Sequence, residues 1–228
     1  MKRLIHLFTV LAVVLTISPV NAQQFYAGVL GGVNIADFKL TFSERESLHD
    51  VKPETFYGAG LIMGVRLMKN LSLQMEPMFQ THGGLYTEPS APEMTMRVRM
   101  LDLPLFVKAD FGKKIRPYLK AGPILNVKLD SEVESSISGL TFKGDLNDIL
   151  RKTAFGLSSG AGVSVPIWKG MLFLEGRYSF SFSNFNKGGT IEMTANNILI
   201  EMDMHPDDKL KTINTQFILG YALSLGGK

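Results

Sequence analysis

The chain has 228 residues, of which 45% are hydrophobic and 20% charged; this excludes wholesale disorder and is enough for one domain with a sizeable core. Cysteine is absent, which excludes disulfides, thiolate catalysis, Cys-type zinc sites and a lipidated cysteine anchor. The formal charge is +3, but 24 basic residues less Lys2 and Arg3 of the leader leave 22 against 21 acidic ones, so charge gives no argument for nucleic acid.

The leader reads MKRLIHLFTVLAVVLTISPVNA: two basic residues, an apolar run over 4–17, the helix breaker Pro19, then small residues at 20–22. This is the pattern of a secretory signal peptide cut after Ala22, so the expected division is a leader at 1–22 and a single domain at 23–228. No later stretch reaches the roughly 18 uncharged apolar residues that a spanning helix needs. A mature chain embedded in a membrane is therefore expected to be a closed β-barrel, the other structure that satisfies every backbone group in lipid.

Beyond the leader the dominant pattern is alternation with period two, written in Gly, Ser, aromatic and β-branched residues. It predicts eight strands, near 25–36, 56–68, 71–80, 95–110, 116–129, 153–166, 171–183 and 211–225. The connections at 69–70, 111–115 and 167–170 are short, whereas those at 37–55, 81–94, 130–152 and 184–210 each exceed ten residues. That rhythm predicts an all-β, eight-stranded antiparallel transmembrane barrel with short periplasmic turns and long extracellular loops, placed in the outer membrane after export.

The two faces of each strand differ in chemistry. Phe155, Leu157, Ala161 and Val163 alternate with Gly156, Ser158, Gly160 and Ser164, one set suited to lipid and the other to a narrow lumen. The same parity sends Arg66, Glu76, Asp102, Lys108, Lys120, Glu175 and Arg177 inward. A cation on the lipid face near mid-bilayer would cost roughly 2 to 4 kcal/mol, which gives this segregation its reason. An eight-stranded barrel is just wide enough for side chains to fill, so the inward charges are expected to pair as a structural plug. Arg97 and Arg99 share parity with the outward Leu101 and Leu103. Either the strand has left the hydrocarbon there, or a β-bulge near Met100 restores the inward phase.

The run LDLPLFVKADFGKKIRPYLKAGP, with Asp102, Pro104, Lys108, Pro117, Tyr118, Gly122 and Pro123, resembles the PorT-like outer-membrane β-barrels of the Bacteroidetes. GVLGGVNIADF, FYGAGLIMGVRL and LSLQMEPMF extend the resemblance over nearly the whole mature chain. The resemblance implies an eight-stranded outer-membrane barrel and an association with type IX protein secretion, the role of the family's eponymous member. In place of the terminal aromatic residue of many such barrels the chain ends YALSLGGK, which puts any assembly signal within 217–225.

A plugged barrel leaves activity to its loops. The third loop is expected to turn at Ser138-Gly139 and to carry a short helix capped by Asp145; the last is expected to be a hairpin turning at 195–197. Met193, Ile198, Ile200, Met202 and Met204 give that hairpin apolar faces, and adaptable methionines suit protein contact. The mature histidines His49, His82 and His205 all fall in expected loops, with no nucleophile–base–acid spacing; His82 beside Gly83-Gly84 is the one candidate base at the rim. Asp207-Asp208 and the Glu132/Glu134 pair read as solvated charge rather than calcium ligands, and no zinc motif, phosphate loop or nucleic-acid signature is present. The function expected is a non-enzymatic barrel without cofactor or metal, in contact with outer-membrane lipid, lipopolysaccharide and other envelope proteins, and acting in or beside type IX secretion. The alternatives are a structural or adhesive barrel and a rim-located lipid-modifying enzyme.

Overall fold

The computed structural model describes residues 24–41, 51–88, 91–137, 139–196 and 198–225; the leader and His49 lie outside them. Twelve strands occupy the described residues: β1 (Gln24–Thr41), β2 (Val51–Met68), β3 (Leu71–Met75), β4 (Met78–Glu88), β5 (Ala91–Asp110), β6 (Arg116–Ile137), β7 (Leu140–Asp145), β8 (Thr153–Ile167), β9 (Gly170–Ser181), β10 (Gly189–Ala195), β11 (Ile198–Met204) and β12 (Lys209–Leu225). All strand pairs in the sheet are antiparallel. The ring runs β1, β2, β3 with β4, β5, β6, β8, β9, β12, and β12 returns to β1 from Phe25 opposite Leu225 to Thr41 opposite Lys209. Closure leaves the ring without an edge, as lipid requires.

The expected count of eight is thus the number of positions around the ring, while the number of strands is twelve. Two causes account for the difference. The third strand breaks at Glu76-Pro77 because Pro77 has no N–H to donate; its carbonyl still accepts from Leu61 N at 2.9 Å. The other three strands, β7, β10 and β11, belong to the hairpins expected within the third and last long loops and join the sheet there.

Pro77, Pro104 and Pro123 fall at one level of adjacent strands. Met75 pairs with Leu105 and Met78 with Asp102, which sets the Glu76-Pro77 gap against Pro104. The β5–β6 ladder then skips from Pro104 opposite Ile124 to Val107 opposite Ala121. Three missing donors are thereby gathered into one interrupted belt instead of three separate defects.

The expected loops at 81–94 and 130–152 are largely strand. β4 continues to Glu88 and β5 begins at Ala91, while β6 runs 22 residues to Ile137 and β7 turns back beside it. A membrane-crossing strand takes about 9–11 residues, so β5 and β6 extend well beyond the bilayer at the long-loop end. The expected helix after Asp145 is a single turn: Leu150 N donates to Leu146 O at 3.1 Å, and the Asp145 carboxylate accepts from Asn147 N at 2.6 Å.

Outside the ring, Val29, Leu61, Phe79, Leu119, Leu174 and Phe217 are all more than half exposed and form the lipid-facing band. Inside are two apolar clusters. Tyr26, Leu30, Ile62, Met78, Tyr118 and Phe173 belong to one within the barrel. Phe38, Met100, Phe142, Leu146, Phe185 and Leu210 belong to a larger one that forms a cap at the long-loop end.

Candidate functional site: a charged lumen beneath an apolar cap

Four of the inward charges meet at one point. Lys120 Nζ lies 2.5 Å from Glu76 Oε1 and 2.7 Å from Glu175 Oε2, and Arg177 lies 2.9 Å from Glu175 Oε1 and contacts Glu76 Oε2. Their side chains are at most 2% exposed, so two carboxylates and two cations neutralise each other out of contact with water. Gly160 sits in register between Lys120 and Arg177, and this missing side chain gives the quartet its room; a Cβ there would stand 3.1 Å from Glu175 Oε1. The Phe106 ring supports both cations, 4.3 Å from Lys120 Nζ and 5.1 Å from the Arg177 guanidinium. Tyr118 donates to Glu175 Oε2 at 2.8 Å, Gln74 donates to Glu76, and Tyr26 donates to Gln74 Oε1 at 2.8 Å.

The other three predicted lumen residues stand elsewhere. Arg66 is half-buried at the short-turn mouth, donating to Gln24 Oε1 at 3.0 Å. Lys108 pairs with Asp110 at 3.1 Å and lies 4.1 Å from the Tyr118 ring centre. Asp102 lies above the quartet, accepting from Asn126 Nδ2 at 2.5 Å and from Gln80, with His82 Nε2 at 3.0 Å.

His82 therefore is not a loop residue at the rim. It belongs to β4, is 1% exposed, and its Nδ1 has no hydrogen-bond partner among the described residues. Stepping by two from Glu76 through Met78 and Gln80 reaches it, so the alternation carried the signal and the Gly83-Gly84 pair masked it. An imidazole held by an aspartate is two of the three members of a catalytic triad, but at 1% exposure this one is shut off from solvent within the lumen, the position of a structural hydrogen-bond partner. His205 is exposed beside Asp207.

At the top of the lumen Lys128 donates to Asn147 O at 2.6 Å and Leu150 O at 3.1 Å, fastening the 146–150 turn over the barrel. Beyond it β6, β7, β10 and β11 continue as a flap. β5 keeps its phase, so Arg97 and Arg99 face outward. The expected bulge near Met100 lies instead on the partner strand: Arg99 pairs with Asp130 and Met100 with Lys128, leaving Leu129 as the extra residue. That extra residue turns Asp130 and Glu134 to the outer face, where Arg99 contacts Asp130 and Arg97 lies 3.5 Å from Glu134. Lys143 reaches Glu134 at 2.6 Å, and this bond holds the Glu134 carboxyl below its ordinary range and raises the Lys143 ammonium. Hydrogen bonds from Asn147 and Arg99 lower Asp130 likewise.

The predicted contact hairpin divides. Met193 and Met204 are buried in the cap and Ile200 packs against it, whereas Ile198 and Met202 remain 49% and 41% exposed. Leu199, which the sequence pattern did not single out, is 52% exposed on the opposite face.

A closed antiparallel ring with a lipid-facing apolar band and a polar filled interior is the architecture of an outer-membrane β-barrel. Residues 21–187 match the outer membrane protein beta-barrel domain family, and the chain belongs to that family. The outer membrane protein OprG of Pseudomonas aeruginosa has a similar structure, with a TM-score of 0.59 and 8% identity over 90% of this chain and 97% of that one. A major outer membrane protein of Thermus thermophilus gives 0.53 and 12%, over 90% of this chain and all of that one. The outer membrane protease OmpT of Escherichia coli, at 0.42 and 10% over 89% and 96%, is too distant to bear on chemistry. No curated protein sequence matches. The protein is a multi-pass outer-membrane protein, its short turns periplasmic and its cap and flap extracellular by the family's plan.

Proposed function

We propose that the protein works without catalysis, through protein contacts made by its extracellular cap and flap, in or beside type IX protein secretion. The observation that carries this reading is the filled lumen: the ion quartet and the apolar cap occupy the interior at two levels, while β6, β7, β10 and β11 project beyond the membrane. Side chains that fill the barrel leave its surfaces as the working parts. The lipid-facing band meets outer-membrane lipid and, in the outer leaflet, lipopolysaccharide. The resemblance of 101–123 to PorT-like barrels directs the protein contacts toward the secretion machinery.

Deleting the gene and scoring secreted protease activity and cell-surface proteins tests the assignment. Both are expected to fall; unchanged secretion overturns it. A structural or adhesive role is the second reading, favoured by the exposure of Ile198, Leu199 and Met202 on the cell-surface flap. Normal secretion with weakened attachment of the deletion strain selects it.

A further inference from the structure

Among the described residues β11 ends the sheet and pairs on one side, with β10. From Ile198 to Asp203 all its residues but Ile200 are exposed, so a row of backbone donors and acceptors faces solvent. Such an edge is a template for strand addition.

The two faces of this edge state what it would accept. On the outer face the register sets Arg97 opposite Glu132, Glu132 opposite Asp145, and Glu192 opposite Glu201; Met193 opposite Gly144 carries Glu192 beside Asp145. Four carboxylates thus stand in one row across β6, β7, β10 and β11, and Arg97, at its far end, makes its ion pair with Glu134. Like charges directly opposite each other in a sheet are destabilising, so this row favours a cation at the position next to Glu201. On the inner face Ile200 and Met204 hold β11 to the cap, while Ile198 and Met202 stay exposed at its edge. A second copy of β11 would add another Glu201 and Asp203 to a face that already holds Glu192, Asp145 and Glu132, so self-pairing is disfavoured.

We infer that the β11 edge takes up an extended segment of a partner protein whose basic residues alternate with apolar ones, the cations meeting Glu201 and Asp203 and the apolar side chains covering Ile198 and Met202. This rests on the reading that the flap makes protein contacts. It explains why an acidic edge, protected against indiscriminate pairing, keeps apolar side chains open at the same place.

The test uses the full mature protein in lipid nanodiscs and a synthetic peptide of about ten residues alternating lysine and valine, with glutamate replacing lysine in the control. With peptide at about ten times its Kd, amide hydrogen exchange in β11 is expected to slow about tenfold, and the glutamate peptide to have no effect. The double variant Glu201→Lys/Asp203→Lys, whose side chains are exposed and whose folding is checked by heat-modifiable gel mobility, is expected to exchange these preferences. Unchanged β11 exchange, or equal binding of the two peptides, overturns the inference. A deletion strain that secretes normally rejects the secretion role and leaves the peptide result standing. Impaired secretion together with unprotected β11 rejects the strand-addition inference alone.

Discussion

Lys120 and Glu175 meet at 2.7 Å across a lumen position that Gly160 leaves open. Replacing Lys120 with methionine would leave Glu76 and Glu175 sharing Arg177, an uncompensated charge out of reach of water. The expected destabilisation is about 3–5 kcal/mol. Adding Glu175→Gln restores neutrality and is expected to return part of that loss, read as a higher unfolding midpoint in urea for the double variant than for the single one. A Lys120→Met protein as stable as the parent would show that charge pairing contributes nothing measurable here.

Which side chains point inward was legible because parity is a local property: each step of two along a strand keeps its face. Which of them meet was not, because that depends on register between strands distant in sequence. Glu76, in the gap after β3, and Arg177 of β9 lie 101 positions apart and touch because the closed ring brings them to one level of the lumen. Arg66 has the same parity and ends at the mouth. The alignment of Pro77, Pro104 and Pro123 likewise rests on register, since parity says nothing about which positions of neighbouring strands share a level. The outward arginines point to a bulge near Met100 of β5, but Leu129 of β6 supplies it, since the extra residue belongs to whichever strand must turn its partners outward. The two hairpins of the flap were legible from their turns, since β6 pairs with β7 and β10 with β11 about the expected positions, but their union was not, because Met193 opposite Gly144 joins strands distant in sequence.

Two seals in series make a prediction about conductance. The parent protein in planar bilayers is expected to show no stable channel of porin size. Replacing Glu76, Lys120, Glu175 and Arg177 together by alanine hollows the lower level while the cap stays in place, and is expected to remain closed. Adding Lys128→Ala removes the bonds to Asn147 O and Leu150 O that fasten the cap, and is expected to give intermittent openings. A stable open channel in the parent would refute a filled lumen.

Glycines separate by surroundings. A Cβ on Gly122 would collide with the Leu105 carbonyl where β5 and β6 approach closely at the proline belt, whereas one on Gly176 meets nothing within 4 Å on the lipid side. Gly122→Ala is expected to lower the folded fraction, seen as loss of the heat-modifiable band, and Gly176→Ala to leave it unchanged. Equal behaviour of the two would mean that the close approach is not a constraint on assembly.

The flap should loosen in acid. Lys143 and Arg97 hold Glu134 below its ordinary value of 4.5, and Asp130 is held below 3.8 by Asn147 and Arg99. A carboxylate whose folded value is depressed contributes stability that is fully present above its ordinary value and is lost as pH falls through the folded one. The β6–β7 contact is therefore expected to be constant from neutral pH down to about 4.5 and to weaken below it. Lys143 is largely exposed and Glu134 partly so, which lets solvent screen the pair, so the effect is local and small, without global unfolding. Hydrogen exchange at 140–145, corrected for the intrinsic pH dependence of exchange, is the measurement. Protection there should fall as pH drops below about 4.5, by roughly the amount that Lys143→Gln removes at neutral pH, and the variant should show a flatter profile. An identical pH profile in parent and variant would mean that Glu134 is not held by Lys143 in solution.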